Sequence, residues 1–90
     1  MLSPMNHIAR DACPHFDASR PPAVSSARAC GDCGLERNLR LCLTCGYVGC
    51  CESESAHDTA HYQKTGHALI TPHQAKTAWV WCYACNAYVD

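Results

Sequence analysis

Three Cys-x-x-Cys pairs in ninety residues restrict this chain more than any other feature. They are Cys30 with Cys33, Cys42 with Cys45, and Cys82 with Cys85. Gly34 and Gly46 follow the first two pairs at once. A chain turning tightly around an ion often needs positive φ at such a place, and glycine accepts it. Cys50, His57, His61 and His67 follow these two pairs in a short segment. Zinc takes four N or S donors in a structural site, so the stretch from Cys30 to His67 can close two sites. Cys13 and His15 near the N-terminus, with Cys82 and Cys85, supply donors for a third. Cys51 is then the cysteine left over, and His7 and His73 are the histidines left over.

A chain of this length allows one domain with a modest core, and such domains commonly need disulfides or metal. Three observations favour metal. The cysteines come in C-x-x-C pairs, histidines stand at ligand spacing, and the cysteine count of nine is odd. Met1 to Asp11 has no apolar h-region, so no secretory signal is expected and the thiols should stay reduced, as in the cytoplasm. The longest apolar run, Ala78 to Cys85, is far short of a membrane span. The formal net charge is −1. Three divalent ions held by eight thiolates would take it to about −3. Arg10, Arg20, Arg28, Arg37 and Arg40 are scattered, so the chain offers a poor footing for a phosphate backbone and no nucleic acid is expected.

Residues 1–10 read as a flexible leader. The C-P-H segment puts Cys13 and His15 on one face of an extended backbone. Ala18 to Ala29, with Pro21 and Pro22, reads as a loop. Leu39 to Thr44 and Tyr47 to Cys50 read as a hairpin with Cys45 and Gly46 at its turn. Ser55 to Thr65 is the good helix candidate, capped by Ser53 or Ser55 and stopped by Gly66. His57 and His61 fall at i, i+4 on one face of it, and that spacing taken alone suggests a shared ion. Residues 67 to 71 read as a strand ended by Pro72, and Thr77 to Cys82 and Asn86 to Val89 as a final strand pair. The expected fold is α+β: a small twisted antiparallel sheet with one or two helices, fastened by three structural zinc sites.

The order C-x-H, C-x-x-C-G, C-x-x-C-G, C, H-x-x-x-H, G-H, W-C-Y-x-C-x-x-Y-V resembles the ubiquitin-carboxyl-terminal-hydrolase-type (UBP-type) zinc finger. That module occurs in deubiquitinases, in a cytoplasmic histone deacetylase and in small bacterial proteins, and this short chain is more like the bacterial members. The resemblance covers Cys13 to Val89, so residues 11–90 are expected to form the domain. It implies one site of Cys30, Cys33, Cys50 and His57. The second would be Cys42, Cys45, His61 and His67, and the third Cys13, His15, Cys82 and Cys85. It also implies a pocket for the Gly-Gly tail of ubiquitin, with an Arg in a Cys-Gly-Arg segment holding the carboxylate and aromatic side chains as walls. Here that segment is Cys50-Cys51-Glu52, and the family's aromatic before the second C-x-x-C is Arg40. Trp81, Tyr83 and Tyr88 keep the aromatic side of the pocket. Glu52 would repel a carboxylate, which argues against ubiquitin-tail binding.

Trp79, Trp81, Tyr83 and Tyr88 are four of the seven aromatics, packed into ten residues. Trp79 and Trp81 alternate with Val80 and should share a sheet face. We assign Trp79 to packing, and Trp81, Tyr83 and Tyr88 to a surface groove, with Arg40 and Glu52 facing each other at its mouth. Sites closed by four donors leave no open position for catalysis, and the H-x-E and P-C-x-x-C pattern of zinc deaminases is absent. The expected function is a zinc-binding module for a peptide or protein C-terminal tail. A purely structural or metal-storing protein is the first alternative, and a thiol- or zinc-dependent enzyme the second. Cys51 reads as a small buried hydrophobe that could also compete with Cys50 as a ligand.

Overall fold

Alternation along short strands builds a sheet with two unlike faces. The computed structural model describes residues 6–90. Its strands are β1 (His7–Ile8), β2 (Leu39–Cys42), β3 (Val48–Cys50), β4 (Leu69–Pro72), β5 (Trp81–Cys82) and β6 (Ala87–Val89). A 3-10 turn spans Arg10–Ala12, and helix α1 spans His57–Thr65. The six strands form one sheet in the order β1-β6-β5-β4-β2-β3. Every pairing is antiparallel except β1 with β6, which is parallel. The fold is thus α+β with a mixed sheet, where the sequence suggested an antiparallel one. The difference lies in His7 and Ile8, which read as leader but pair with Tyr88 and Val89. Residues 1–5 of the expected leader lie outside the described residues.

One sheet face feeds the core. Leu69, Cys82 and Val89 join Cys13 and Ala68 in one buried cluster, with Phe16 and Val80 against it. Leu39, Leu41 and Val48 join Cys30 and Cys50 in a second, and Leu43 packs against both. Both clusters are small and are built partly from cysteines of the C-x-x-C pairs. The other face carries Arg40, Ile70, Trp81 and Tyr88. The pairing sets Ile70 opposite Trp81, and Trp81 opposite Tyr88. The strand expected from Thr77 begins only at Trp81, and Pro72 is the last residue of β4 rather than the residue that ends it.

Each C-x-x-C pair is followed by a residue with positive φ. Gly34 and Gly46 have φ of 76° and 83°, and their N–H groups reach back to the carbonyls of Cys30 and Cys42 at 2.9 Å. The third pair ends in Asn86, with φ 53°. Asparagine is among the few other residues that visit this region routinely. The loop before β2 is pinned by a histidine that ligand counting left over. His73 is 9% exposed, and its Nε2 donates to the Ala27 carbonyl at 2.6 Å. His7, also left over, bonds Asp90 at 3.0 Å across β1 and the end of β6.

Helix α1 ends at Gly66 in the left-handed region, as the sequence indicates. Its start does not follow the expected serine cap. The N-cap is Ala56, left-handed with φ 56° and no side-chain cap, while Ser53 bonds Cys51. The turn after β3 sets this geometry, because Ala56 N–H bonds the Cys51 carbonyl at 3.0 Å. The first turn of α1 then presses on Gly49, where a Cβ would stand 2.9 Å from Asp58 N and 3.1 Å from His57 C. Neither contact is a flexible side-chain tip, so Gly49→Ala should destabilise the loaded protein by about 1–3 kcal/mol. Ala56→Gly should stabilise it by about 1 kcal/mol, since an alanine in this region is strained. Urea unfolding at fixed excess zinc measures both, and equal midpoints for the three proteins would contradict this account of the helix start.

Candidate metal centres and the adjoining groove

The structure gathers the twelve donors into three groups of four: Cys13, His15, Cys82 and Cys85; Cys30, Cys33, Cys50 and His57; and Cys42, Cys45, His61 and His67. Within each group the donor atoms lie within 4.8 Å of one another. The i, i+4 histidines therefore part company. His57 turns to the strand end at Cys50, 3.3 Å away, and His61 turns to Cys45, also 3.3 Å away. Spacing along one helix face fixed their common direction but not the separate knuckles that approach them. Cys51 belongs to none of the groups; it is buried and bonds Ser53 Oγ at 2.8 Å.

These groups fit zinc on three grounds. Four N and S donors about 2.0–2.3 Å from a tetrahedral ion stand about 3.3–3.8 Å from each other. The observed separations are 3.5 Å from His15 Nδ1 to both Cys82 and Cys85, 3.5 Å from His57 Nδ1 to Cys30, and 3.9 Å between Cys33 and Cys50. Secondly, His67 Nδ1 is buried with no hydrogen-bond partner, the condition of an atom that serves an ion. Thirdly, all nine cysteines are free, so none is committed to a disulfide.

The electrostatics point the same way. Burial, helped by the neighbouring Cys85 and Cys13 thiols and opposed by the Cys85 N–H, pushes the Cys82 thiol up to about 11. A divalent cation at this spot removes the cost of ionising such crowded thiols. Burial also raises Cys30, but backbone N–H groups of Asp32, Cys33 and Cys50 outweigh it and bring that thiol down to about 6. Burial and the adjacent His67 hold His61 below the ordinary histidine value, which favours the neutral imidazole that a metal needs. Tyr47 supports the same region. Its ring stacks on His61 and its hydroxyl donates to Asp32. Burial and the Asp32 carboxylate raise that hydroxyl well above its ordinary range, so it remains a donor.

A groove of about 570 Å³ opens on the other sheet face. Arg40, Ile70, Trp79, Trp81 and Tyr88 line it, together with Glu52 and Asp58. The Tyr88 ring meets both tryptophans edge-on, at 4.9 Å from Trp81 and 5.5 Å from Trp79. Two assignments are corrected here. Trp79 lines the groove rather than the core. Tyr83 is not among the groove residues: its hydroxyl donates to Asp58 Oδ2 at 2.7 Å and its ring stacks on Tyr62. With the Thr59 N–H donating to Oδ1 at 2.8 Å, that hydroxyl satisfies a carboxylate that is only 3% exposed. Sequence alternation could signal a shared side for Trp79 and Trp81, but nothing in it announced the Asp58 partner that draws Tyr83 away.

Arg40 and Glu52 line the same groove without forming an ion pair. The Arg40 guanidinium lies over the Trp79 ring, 5.0 Å from its centroid, and donates to the Leu39 carbonyl at 3.0 Å. Among the described residues, no carboxylate pairs with it.

Comparison with known proteins decides the family. The family described as "Zn-finger in ubiquitin-hydrolases and other protein" matches residues 30–90. This chain belongs to that family. The BRCA1-associated proteins of Mus musculus and Homo sapiens are each 34% identical to it over 80 residues, 86% of this chain. The chain spans only 13% of the length of these relatives. The solution structure of protein RPA1320 from Rhodopseudomonas palustris superposes with a TM-score of 0.74 at 36% identity, covering 88% of this chain and 81% of that one. As a UBP-type zinc finger, the chain has three cysteine and histidine clusters compatible with three zinc ions. Among the described residues, no helix is long and apolar enough to cross a membrane.

Structural zinc supplies about 10–16 kcal/mol per ion in finger peptides. That equals the whole stability of an ordinary domain, about 5–15 kcal/mol. With cores this small, the folded state should be lost on chelation. Metal analysis should give three zinc ions per chain, and excess EDTA should abolish amide-proton dispersion in NMR spectra. A chelated protein that keeps its dispersed spectrum would contradict the metal-dependent fold.

Proposed function

We propose that this UBP-type finger is a binding module without catalysis of its own, in which the twelve clustered donors hold three structural zinc ions. Each ligand set is closed by four protein donors, so none offers the open position that a catalytic zinc keeps. Free thiols in such number suit a reducing compartment, and we place the protein in the cytoplasm.

The groove is read as the site for a short peptide ending in a free carboxylate. One observation carries this reading: the half-buried Arg40 guanidinium lies over the Trp79 ring beside an open aromatic groove, with no carboxylate among the described residues paired to it. A guanidinium fixed in this way loses little freedom on accepting a carboxylate, which it can grip with two N–H donors. The cation enters from β2, whereas the family's Arg position, in the turn after β3, holds Glu52. Glu52 lines the same groove and disfavours the ubiquitin tail placed as that position would place it. The Trp81 and Tyr88 rings offer flat apolar walls to the residues before the carboxylate.

The test is an NMR titration of the zinc-loaded protein with a peptide ending in Gly-Gly, as free acid and as C-terminal amide. The free acid should shift Arg40, Trp79, Trp81 and Tyr88 signals, and the amide should bind at least about tenfold more weakly, the loss expected for one charge-assisted contact. Arg40→Gln should erase the difference between the two peptides. If neither peptide moves a groove signal, tail recognition is wrong and a purely structural or metal-storing role takes its place.

A further inference from the structure

Tyr47 belongs to two candidate metal centres at once. Its backbone is part of the second knuckle, where the Tyr47 carbonyl accepts the Cys42 N–H at 2.8 Å. Its ring lies on His61 of that centre, with centroids 4.3 Å apart and planes 11° from parallel. Its hydroxyl reaches the other knuckle and donates to Asp32, which stands between Cys30 and Cys33. The same ring runs past Gly31, where a Cβ would lie 3.2 Å from Tyr47 Cε1. Helix α1 makes a second link, since it carries His57 of one centre and His61 of the other. The third centre has no ligand on α1, and its knuckle touches that helix only from outside the ligand set, where the Tyr83 hydroxyl donates to Asp58. It takes Cys13, His15, Cys82 and Cys85 and sits with the other core cluster.

We propose that the centre of Cys30, Cys33, Cys50 and His57 and the centre of Cys42, Cys45, His61 and His67 fill and empty as a coupled pair. Tyr47 is the positioning residue that joins them. The proposal rests on the ligand assignment above. An ion held by His61 fixes the imidazole plane, and the imidazole fixes the tyrosine ring stacked on it. The hydroxyl then holds Asp32, and with it the turn that aims Cys30 and Cys33 at one point. Outer groups that orient metal ligands commonly change affinity by 10–100-fold. Here one outer group serves two centres, so the gain at one must appear at the other by the same factor.

Native mass spectrometry during stepwise zinc removal reads the populations. Cadmium-113 NMR of the substituted protein assigns them: the centre with two cysteines and two histidines resonates apart, and through-bond couplings from cadmium to the cysteine β-protons distinguish the two centres with three cysteines. In the native protein, molecules holding one ion of the pair should be about tenfold scarcer than independent filling predicts. Tyr47→Leu removes the stack and the hydroxyl and should bring that population most of the way to the independent level, with α1 as the remaining link. Tyr47→Phe keeps the stack and should fall between. Independent filling in the native protein overturns the proposal, and so does undiminished pairing in Tyr47→Leu. Should Tyr47→Leu fail to fold, Asp32→Ala removes the hydroxyl's acceptor alone; pairing unchanged in that variant also overturns the role of Tyr47. Fewer than three bound ions would instead sink the ligand assignment, whereas three ions without pairing would sink only the coupling.

Discussion

Four thiols and imidazoles brought within one ion's reach form an unstable arrangement on their own. Ionised thiols repel one another, and buried neutral ones leave lone pairs without donors. A divalent cation resolves both problems, and in this chain it must do so three times. The rest of the architecture follows from that requirement. Strands of two to four residues suffice because their ends are held by knuckles rather than by long ladders. The apolar clusters can stay small because cysteines of the knuckles occupy their centres. Even the strained alanine at the start of α1 is tolerated, since the helix must present His57 and His61 where the knuckles converge.

Much of this was legible in the residues. The C-x-x-C pairs and their glycines marked the knuckles, the alternation at Leu39 to Cys42 marked β2, and Gly66 marked the helix end. What escaped was decided by contacts distant in sequence or by backbone bonds that side chains do not signal. A two-residue strand such as His7–Ile8 has no period to detect; it exists because β6 offers a free edge. The start of α1 was misread as a serine cap, because the turn from Cys51 to Ala56 is closed by backbone bonds that no side-chain pattern records. Trp79 and Tyr83 exchanged the places assigned to them for a similar reason. Asp58 captures Tyr83, and Arg40 covers Trp79 on the groove side. The parting of His57 and His61 was visible only through the likeness to other zinc fingers.

The two sheet faces divide the labour of the molecule. One face meets the cysteine-rich clusters and tolerates little change. The other carries Arg40, Ile70, Trp81 and Tyr88 in a row, none of them a metal ligand. Relative to the family pattern, Glu52 stands in place of an Arg and Arg40 in place of an aromatic, and both line one groove.

The parallel pairing of β1 with β6 also has a mechanical meaning. The chain enters the sheet beside the strand by which it leaves, and both strands run in one direction. Tyr88 N–H bonds the Asn6 carbonyl, Asp90 N–H bonds that of Ile8, and Arg10 N–H bonds that of Asp90. Tension applied through the two ends would pull these strands past each other and load the bonds together, as a shear, rather than peel them one after another. Within a longer polypeptide, this edge would act as a clasp that resists stretching before any metal centre feels the force.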